Sequence, residues 1–145
     1  MAPAGNFESL QAAIDNGADS VYFGVDQLNM RARASINFTI DDLDEIAHRC
    51  APKGIRTYLT LNTIIYDHDL SIIKTLLDAA KKAGLTAVIA MDQAVIAYAR
   101  QIGMEVHIST QINITNIETV RFYAMFADTM VMSRELSLRQ IKKIC

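Results

Sequence analysis

The chain has 145 residues, of which 51% are hydrophobic and 21% are charged, and its formal net charge is -2. These values are typical of a globular protein with one hydrophobic core, and they exclude a disordered chain. No apolar run approaches the ~18 residues that cross a bilayer, and no secretory signal pattern is visible. We therefore expect a cytoplasmic protein with no membrane partner, and the slight acidity gives no electrostatic footprint for nucleic acid.

One unit repeats six times along the chain: a short apolar run, then a polar cluster, then an amphipathic stretch. A truncated first apolar run lies at 2–5, and the others lie at 20–25, 55–61, 86–91, 105–110 and 128–133. Continuous apolar runs are typical of strands that are covered on both faces. Their alternation with helices predicts a parallel α/β sheet with right-handed crossovers.

The amphipathic stretches predict a helix after each strand. The helices are expected over 7–16, from a Thr39 cap to about 51, from Asp67 or Asp69 to about 83, and over 93–102, 116–126 and 137–144. Gly17, Gly54, Gly84 and Gly103 each lie shortly before a strand, where a left-handed residue ends the preceding helix.

Two architectures fit this order: a doubly wound open sheet and part of a (β/α)8 TIM-type barrel. We favour the barrel, because the segment after the first strand has one glycine where the dinucleotide-binding motif needs three. A whole barrel takes about 250 residues. We therefore interpret residues 1–145 as one domain of about six β/α units, with the rest of the barrel outside the chain. Its unpaired sheet edges predict a homo-oligomer.

Polar residues follow the strands at their carboxyl ends, the face of an α/β barrel that carries the active site. The candidate substrate-binding residues are Arg31, Arg33, Asn37, Asn62, Ser109, Gln111, Asn113 and Arg134. The candidate catalytic residues are His107, Asp92 and Glu135.

Each candidate has a functional and a structural interpretation. Arg31 and Arg33 would clamp a carboxylate or a phosphate if their segment is extended, or else belong to a solvated loop. His107 is an acid, a base or a ligand if it faces the barrel interior, or else a histidine of the core. Asp92 is a carboxylate of the barrel mouth or the cap of the helix that follows it.

A hydrolytic triad of Ser109, His107 and Asp92 is disfavoured, because Ser109 lies in a regular strand without the exposed turn of a nucleophilic serine. Cys50 and Cys145, the two cysteines, form no CxxC pair and lie near no histidine. No metal site is therefore expected within this chain.

Five stretches, in order and with their spacing, resemble the collagenase-like peptidase family, peptidase family U32. They are APAGNFESLQAAIDNGADSVYFG, LNMRARASINFT, YLTLNT, HISTQINITN and SRELSL. The resemblance implies an α/β barrel followed by a cysteine-bearing segment. It also implies a hydrolase of peptide bonds whose mechanism is unassigned.

The resemblance has a second implication, because several family members look like factors for hydroxylation of tRNA, rRNA or a quinone precursor. Those proteins depend on an iron–sulfur cluster, expected here as a 4Fe-4S cluster of the full-length parent and not of this chain. The expected partner is accordingly a peptide or an RNA, bound through the parent protein. We expect residues 1–145 alone to be inactive.

Overall fold

The computed structural model describes residues 1–25 and 38–144. Its six strands form one parallel sheet whose spatial order follows the sequence. The strands are β1 (Ala2–Pro3), β2 (Ser20–Phe23), β3 (Arg56–Leu61), β4 (Ala87–Ala90), β5 (Glu105–Ile108) and β6 (Thr129–Met130). The helices are α1 (Phe7–Asp15), α2 (Leu43–Cys50), α3 (Leu70–Lys82), α4 (Gln93–Gln101), α5 (Ile117–Tyr123) and α6 (Leu138–Ile144).

The sequential strand order decides between the two predicted architectures. A doubly wound sheet reverses its strand order at a switch point, whereas a barrel adds each strand beside the previous one. The described sheet runs from β1 to β6 without a reversal. The prediction of a barrel-type α/β fold is therefore confirmed.

The hydrophobic core lies between the sheet and the helices. Every second strand residue contributes to it, as Leu59, Val88 and Val106 do with no exposed surface. The helices contribute Leu10, Ile46 and Leu77, which are buried to the same extent. Burying one such side chain stabilises the fold by about 1.5–3 kcal/mol. The alternate residues of each strand face away from the helices, toward what would be the barrel interior.

Most helix starts agree with the sequence prediction, although some ends differ. Asn6 caps α1 in a reciprocal capping box with Ser9, and α2 and α3 are each preceded by one 3-10 turn, at Ile40–Asp42 and Asp67–Asp69. All four glycines predicted to end helices have positive φ, between 67° and 80°.

Several predicted elements are shorter in the structure, such as the sixth strand, which was expected over 128–133 and is Thr129–Met130. Two of these differences have a clear local cause. The fifth strand was expected to reach 110 but ends at Ile108, because Ser109 caps a 3-10 turn over Thr110–Ile112. The fifth helix was expected over 116–126 but ends at Tyr123, after which the backbone closes single turns at Phe126 and Ala127.

Candidate functional site

Asp92 follows β4 at the carboxyl ends of the strands, and its carboxylate binds the backbone. One oxygen accepts a hydrogen bond from the Ala94 N–H at 2.8 Å, which caps α4. The other oxygen accepts a longer bond, at 3.4 Å, from the N–H of Ile65 in the loop after β3. Asp92 therefore joins two neighbouring β/α loops. Of the two predicted roles of Asp92, a carboxylate of the barrel mouth and a helix cap, these hydrogen bonds support the cap.

His107 lies on the face of β5 that points away from the helices, because its neighbours Val106 and Ile108 belong to the core on the opposite face. Its Nε2 lies 2.7 Å from Oε1 of Glu105, and the side chain is 12% exposed. The imidazole also packs against the Tyr58 ring, with the ring centroids 4.8 Å apart. The sequence left open which face of the fifth strand points inward. In the structure, the inward face is the one that carries His107.

The structure does not bring His107 and Asp92 together. In the β4–β5 register His107 lies opposite Ile89, three residues before Asp92. Three strand residues span roughly 10 Å. Ser109, the third member of the triad that the sequence disfavoured, accepts a hydrogen bond from the Gln111 N–H. These three residues therefore form no hydrolytic triad.

A concavity of about 450 Å³ opens at the amino-terminal ends of the strands, on the face that carries His107. We call it the lumen cavity. It is lined by Met1, Asp19, Ser20, Arg56, Tyr58, Ile89, His107, Thr129 and Val131. Within the described residues the Arg56 guanidinium has no ion-pair partner. Thr60 lies on the same face of β3, and its hydroxyl is buried without a hydrogen bond.

Three residues near His107 in the structure were not among the predicted site residues: Arg56, Tyr58 and Glu105. The signal that would have found them is the alternation within each strand, because residues two apart lie on one face. Arg56 and Tyr58 share a face of β3, and Glu105 and His107 share a face of β5. Apart from His107 and Ser109, the prediction considered residues that follow the strands, and so it overlooked other polar residues inside them.

The loop after β6 carries Ser133, Arg134 and Glu135. The buried Ser133 hydroxyl donates a hydrogen bond to the Glu135 carboxylate, and this bond lowers the pKa of Glu135. The nearby Arg134 charge contributes in the same direction. The Ser133 N–H donates to the Ile114 carbonyl at 3.0 Å, which ties this loop to the loop after β5.

The predicted substrate-binding residues have different surroundings. Ser109 is buried, Asn62 is half-buried, and Gln111, Asn113 and Arg134 are exposed. Asn113 has a φ of 56°, the one positive value of a non-glycine residue in the described chain. Arg31, Arg33 and Asn37 lie outside the described residues. The substrate-binding roles and the catalytic roles of His107, Asp92 and Glu135 stay predictions.

The cysteines do not fit a cluster held by this chain alone. A 4Fe-4S cluster takes four thiolates, and the chain has two cysteines. Cys50 is fully buried on α2, and burial raises the pKa of its thiol, which disfavours the ligating thiolate. Among residues 1–25 and 38–144, no three His, Cys, Asp or Glu side chains are grouped as metal ligands.

No helix in that same part of the chain has the length and apolar character needed to cross a bilayer.

The sequential parallel sheet, with polar side chains after its strands and on its inner face, defines a protein of the α/β-barrel class. The chain belongs to peptidase family U32, whose family model matches residues 5–145. It is similar to the solved structure of the U32 peptidase Mk0906, with a TM-score of 0.75, 12% identity and coverage of 99% of this chain and 64% of that one. The predicted family is confirmed.

Two curated relatives carry different functional names. A protein of Porphyromonas gingivalis named collagenase is 55% identical over 99% of this chain and 35% of its own length. The tRNA hydroxylation protein P1 of Bacillus subtilis is 31% identical, again over 99% of this chain and 35% of its own length. The chain thus spans about a third of the curated relatives that it matches.

Proposed function

We propose that the protein takes part in hydroxylation of tRNA and that this chain supplies a barrel surface that binds and orients the RNA. The observation that carries the proposal is the state of Asp92. Both of its carboxylate oxygens bind backbone N–H groups, and it lies well away from His107 along the sheet. A carboxylate held in this way fixes two loops beside each other, which suits a binding surface better than a hydrolytic centre.

The relatives give independent support. The match to tRNA hydroxylation protein P1 extends over 99% of this chain. Every strand and helix described above therefore falls within the part of that relative that is similar to this chain. Cellular tRNA is cytoplasmic in bacteria, and the proposal places the protein in that compartment.

An iron–sulfur cluster, where one is present, would supply electron transfer to such a reaction. At least two of its four thiolates would have to come from outside this chain, which has two cysteines, and the burial of Cys50 disfavours that residue as a ligand. The contribution that we assign to this chain is accordingly the binding and orientation of the substrate.

Peptide-bond hydrolysis is the second candidate function. It is favoured by the 55% identity to a protein named collagenase and by the Glu105–His107 pair. A carboxylate that orients an imidazole is the usual arrangement of a general base that activates a nucleophile. In this candidate His107 would take a proton from water in the lumen cavity, and Glu105 would hold the ring in position.

Gene deletion tests the proposed function. The gene for the full-length protein is deleted, and the nucleosides of digested total tRNA are compared by mass spectrometry with those of the parent strain. We expect a hydroxylated nucleoside to disappear in the deletion strain and to return when the gene is restored. An unchanged nucleoside profile would refute the proposed function.

The purified full-length protein is incubated in parallel with gelatin and with a peptide library. Cleavage that is lost in His107→Ala, by a protein that remains folded, would establish the peptidase candidate. Cleavage that survives this substitution would exclude His107 as its general base.

A further inference from the structure

The carboxyl-terminal segment of the described chain is basic, although the chain as a whole is acidic. Residues 134–144 contain Arg134, Arg139, Lys142 and Lys143 against one carboxylate, Glu135. Their formal charge is +3, in a chain whose formal net charge is -2. A small net charge had predicted no electrostatic footprint for nucleic acid, but it conceals this separation of charge.

Helix α6 gathers the positive charges on one side. Arg139, Lys142 and Lys143 are spaced i, i+3 and i+4, which places them on one helix face. All three are exposed, as is Arg134 in the loop before the helix. The opposite face carries Ile141 and Ile144, which are half-buried. We call Arg134, Arg139, Lys142 and Lys143 the α6 basic face.

The basic residues of this face differ from most of the others in having no partner. Elsewhere in the described chain, most Lys and Arg side chains are engaged locally, as in Arg49–Glu45 at 2.7 Å, Arg100–Asp128 at 3.3 Å and Arg121–Glu118 at 2.7 Å, and the exceptions include Arg56. Lys81 donates to the Gly103 carbonyl, and Lys74 lies over the Tyr98 ring. Within the described residues, no ion pair or hydrogen bond of a side chain occupies the four cations of the α6 basic face.

Helix stability explains only part of this pattern. Lys142 and Lys143 lie in the last turn of α6, where positive charge is favourable beside the negative end of the helix dipole. Arg139 is the second residue of the helix, at the end where positive charge is unfavourable, and Arg134 precedes the helix. Arg139 acts against the dipole and Arg134 lies beyond its reach, so helix stability explains the place of neither arginine.

We propose that the α6 basic face binds the phosphate backbone of an RNA. Helix α6 has seven residues and is about 10 Å long, a length over which each strand of a nucleic-acid duplex presents about three phosphate charges. Three exposed cations on one face and a fourth before the helix match such a row of charges. The proposal rests on the proposed function for the identity of the polyanion, and it assigns the contact to a surface outside the lumen cavity.

The test is a titration of the full-length protein with unfractionated tRNA, in which fluorescence anisotropy measures binding at several salt concentrations between about 50 and 200 mM. Lys142→Glu/Lys143→Glu is compared with Lys53→Glu/Lys82→Glu, which changes the net charge equally at exposed lysines elsewhere. Lys82 is a matched position, because it also lies in the last turn of its helix. Circular dichroism establishes that both variants are folded.

We expect Lys142→Glu/Lys143→Glu to weaken binding by about tenfold or more and to reduce the salt slope by about 1–2, because each lost phosphate contact reduces it by about 0.7–0.9. The control variant should stay within about twofold of the unsubstituted protein. Lys142→Arg/Lys143→Arg should retain the affinity, because arginine also binds phosphate.

Three results would overturn the proposal. The first two are an equal loss of tRNA affinity in the two charge-reversal variants and no loss of affinity in either. The third is binding of acidic vesicles through α6 by a protein that does not bind tRNA. A failure of the proposed function is separate from these results. It would appear as an unchanged nucleoside profile after gene deletion, even where tRNA binding through the α6 basic face is observed.

Discussion

At the scale of single residues, the position of Asp92 in the sequence is consistent with two roles, a catalytic carboxylate and a helix cap. The hydrogen bonds to the Ala94 and Ile65 N–H groups give it a structural task. A variant that separates capping from charge therefore distinguishes the two roles.

We predict that Asp92→Ala lowers the free energy of unfolding by about 1 kcal/mol, the usual cost of losing an N-cap. Asp92→Asn should cost less than Asp92→Ala, because its amide oxygen still accepts from the Ala94 N–H, although its NH2 group cannot accept the longer bond from the Ile65 N–H. Urea denaturation measures both values. If Asp92→Asn abolishes the activity of the full-length protein while its stability is unchanged, then Asp92 has a catalytic role as well.

Cys50 allows a prediction on the reactivity of its thiol. Burial raises the pKa of its thiol, so less thiolate is present at a given pH than in an exposed cysteine. In a Cys145→Ser variant, in which Cys50 is the remaining cysteine, we expect slow labelling by a thiol reagent at pH 8 and complete labelling in urea. Labelling in the native protein at the rate of a model thiol would contradict the burial of this side chain.

At the scale of elements, the segment between β5 and α5 departs most from the sequence prediction. A polar run with alternating residues reads as a longer strand, but Ser109 caps a short turn and Asn113 then reverses the chain with a positive φ. The Ser133 N–H bonds the Ile114 carbonyl and fixes this loop beside the next one.

We predict that Asn113→Val lowers the free energy of unfolding by about 1–2 kcal/mol, because a β-branched residue is strained in the left-handed region. Asn113→Gly should be tolerated, because glycine adopts that conformation without a steric cost. Thermal unfolding of both variants checks the prediction. Equal losses in the two would show that the Asn113 side chain, rather than its backbone conformation, stabilises the loop.

At the scale of the whole molecule, β1 and β6 leave two sheet edges without a neighbouring strand among the described residues. Unpaired edges favour association with other strands. The predicted homo-oligomer through these edges has a direct test in the 145-residue chain. Val131, which is 40% exposed and directly follows β6, is the position at which to add a charge.

We predict that the 145-residue chain associates in a concentration-dependent way by light scattering and that Val131→Lys lowers the associated fraction several-fold. Ile72→Lys is the matched control, because Ile72 is an exposed apolar residue of α3, away from both edges. A monomeric chain at all concentrations, or an equal effect of both substitutions, would refute association through this edge.

Local signals in the sequence were sufficient for the order of elements, the parallel sheet and the family. Apolar periodicity predicts strands and helices, and glycines predict where helices end, because both depend on residues close together in the chain. The four glycines took the conformations that their positions indicated. The helix over 116–126 was too long in the prediction, because the single turns that follow Tyr123 continue its apolar pattern.

Only the tertiary structure decided which polar side chains meet. The sequence named His107 and Asp92 as catalytic candidates without showing whether they meet. The strand register separates them, and His107 contacts Glu105 and Tyr58 instead. Register and facing depend on contacts between segments far apart in the chain, and a shift of one residue reverses the face of every side chain in a strand. For this protein, the sequence by itself determined the alternation of strands and helices in a parallel sheet, and the packing of the strands decided their order and what faces the interior.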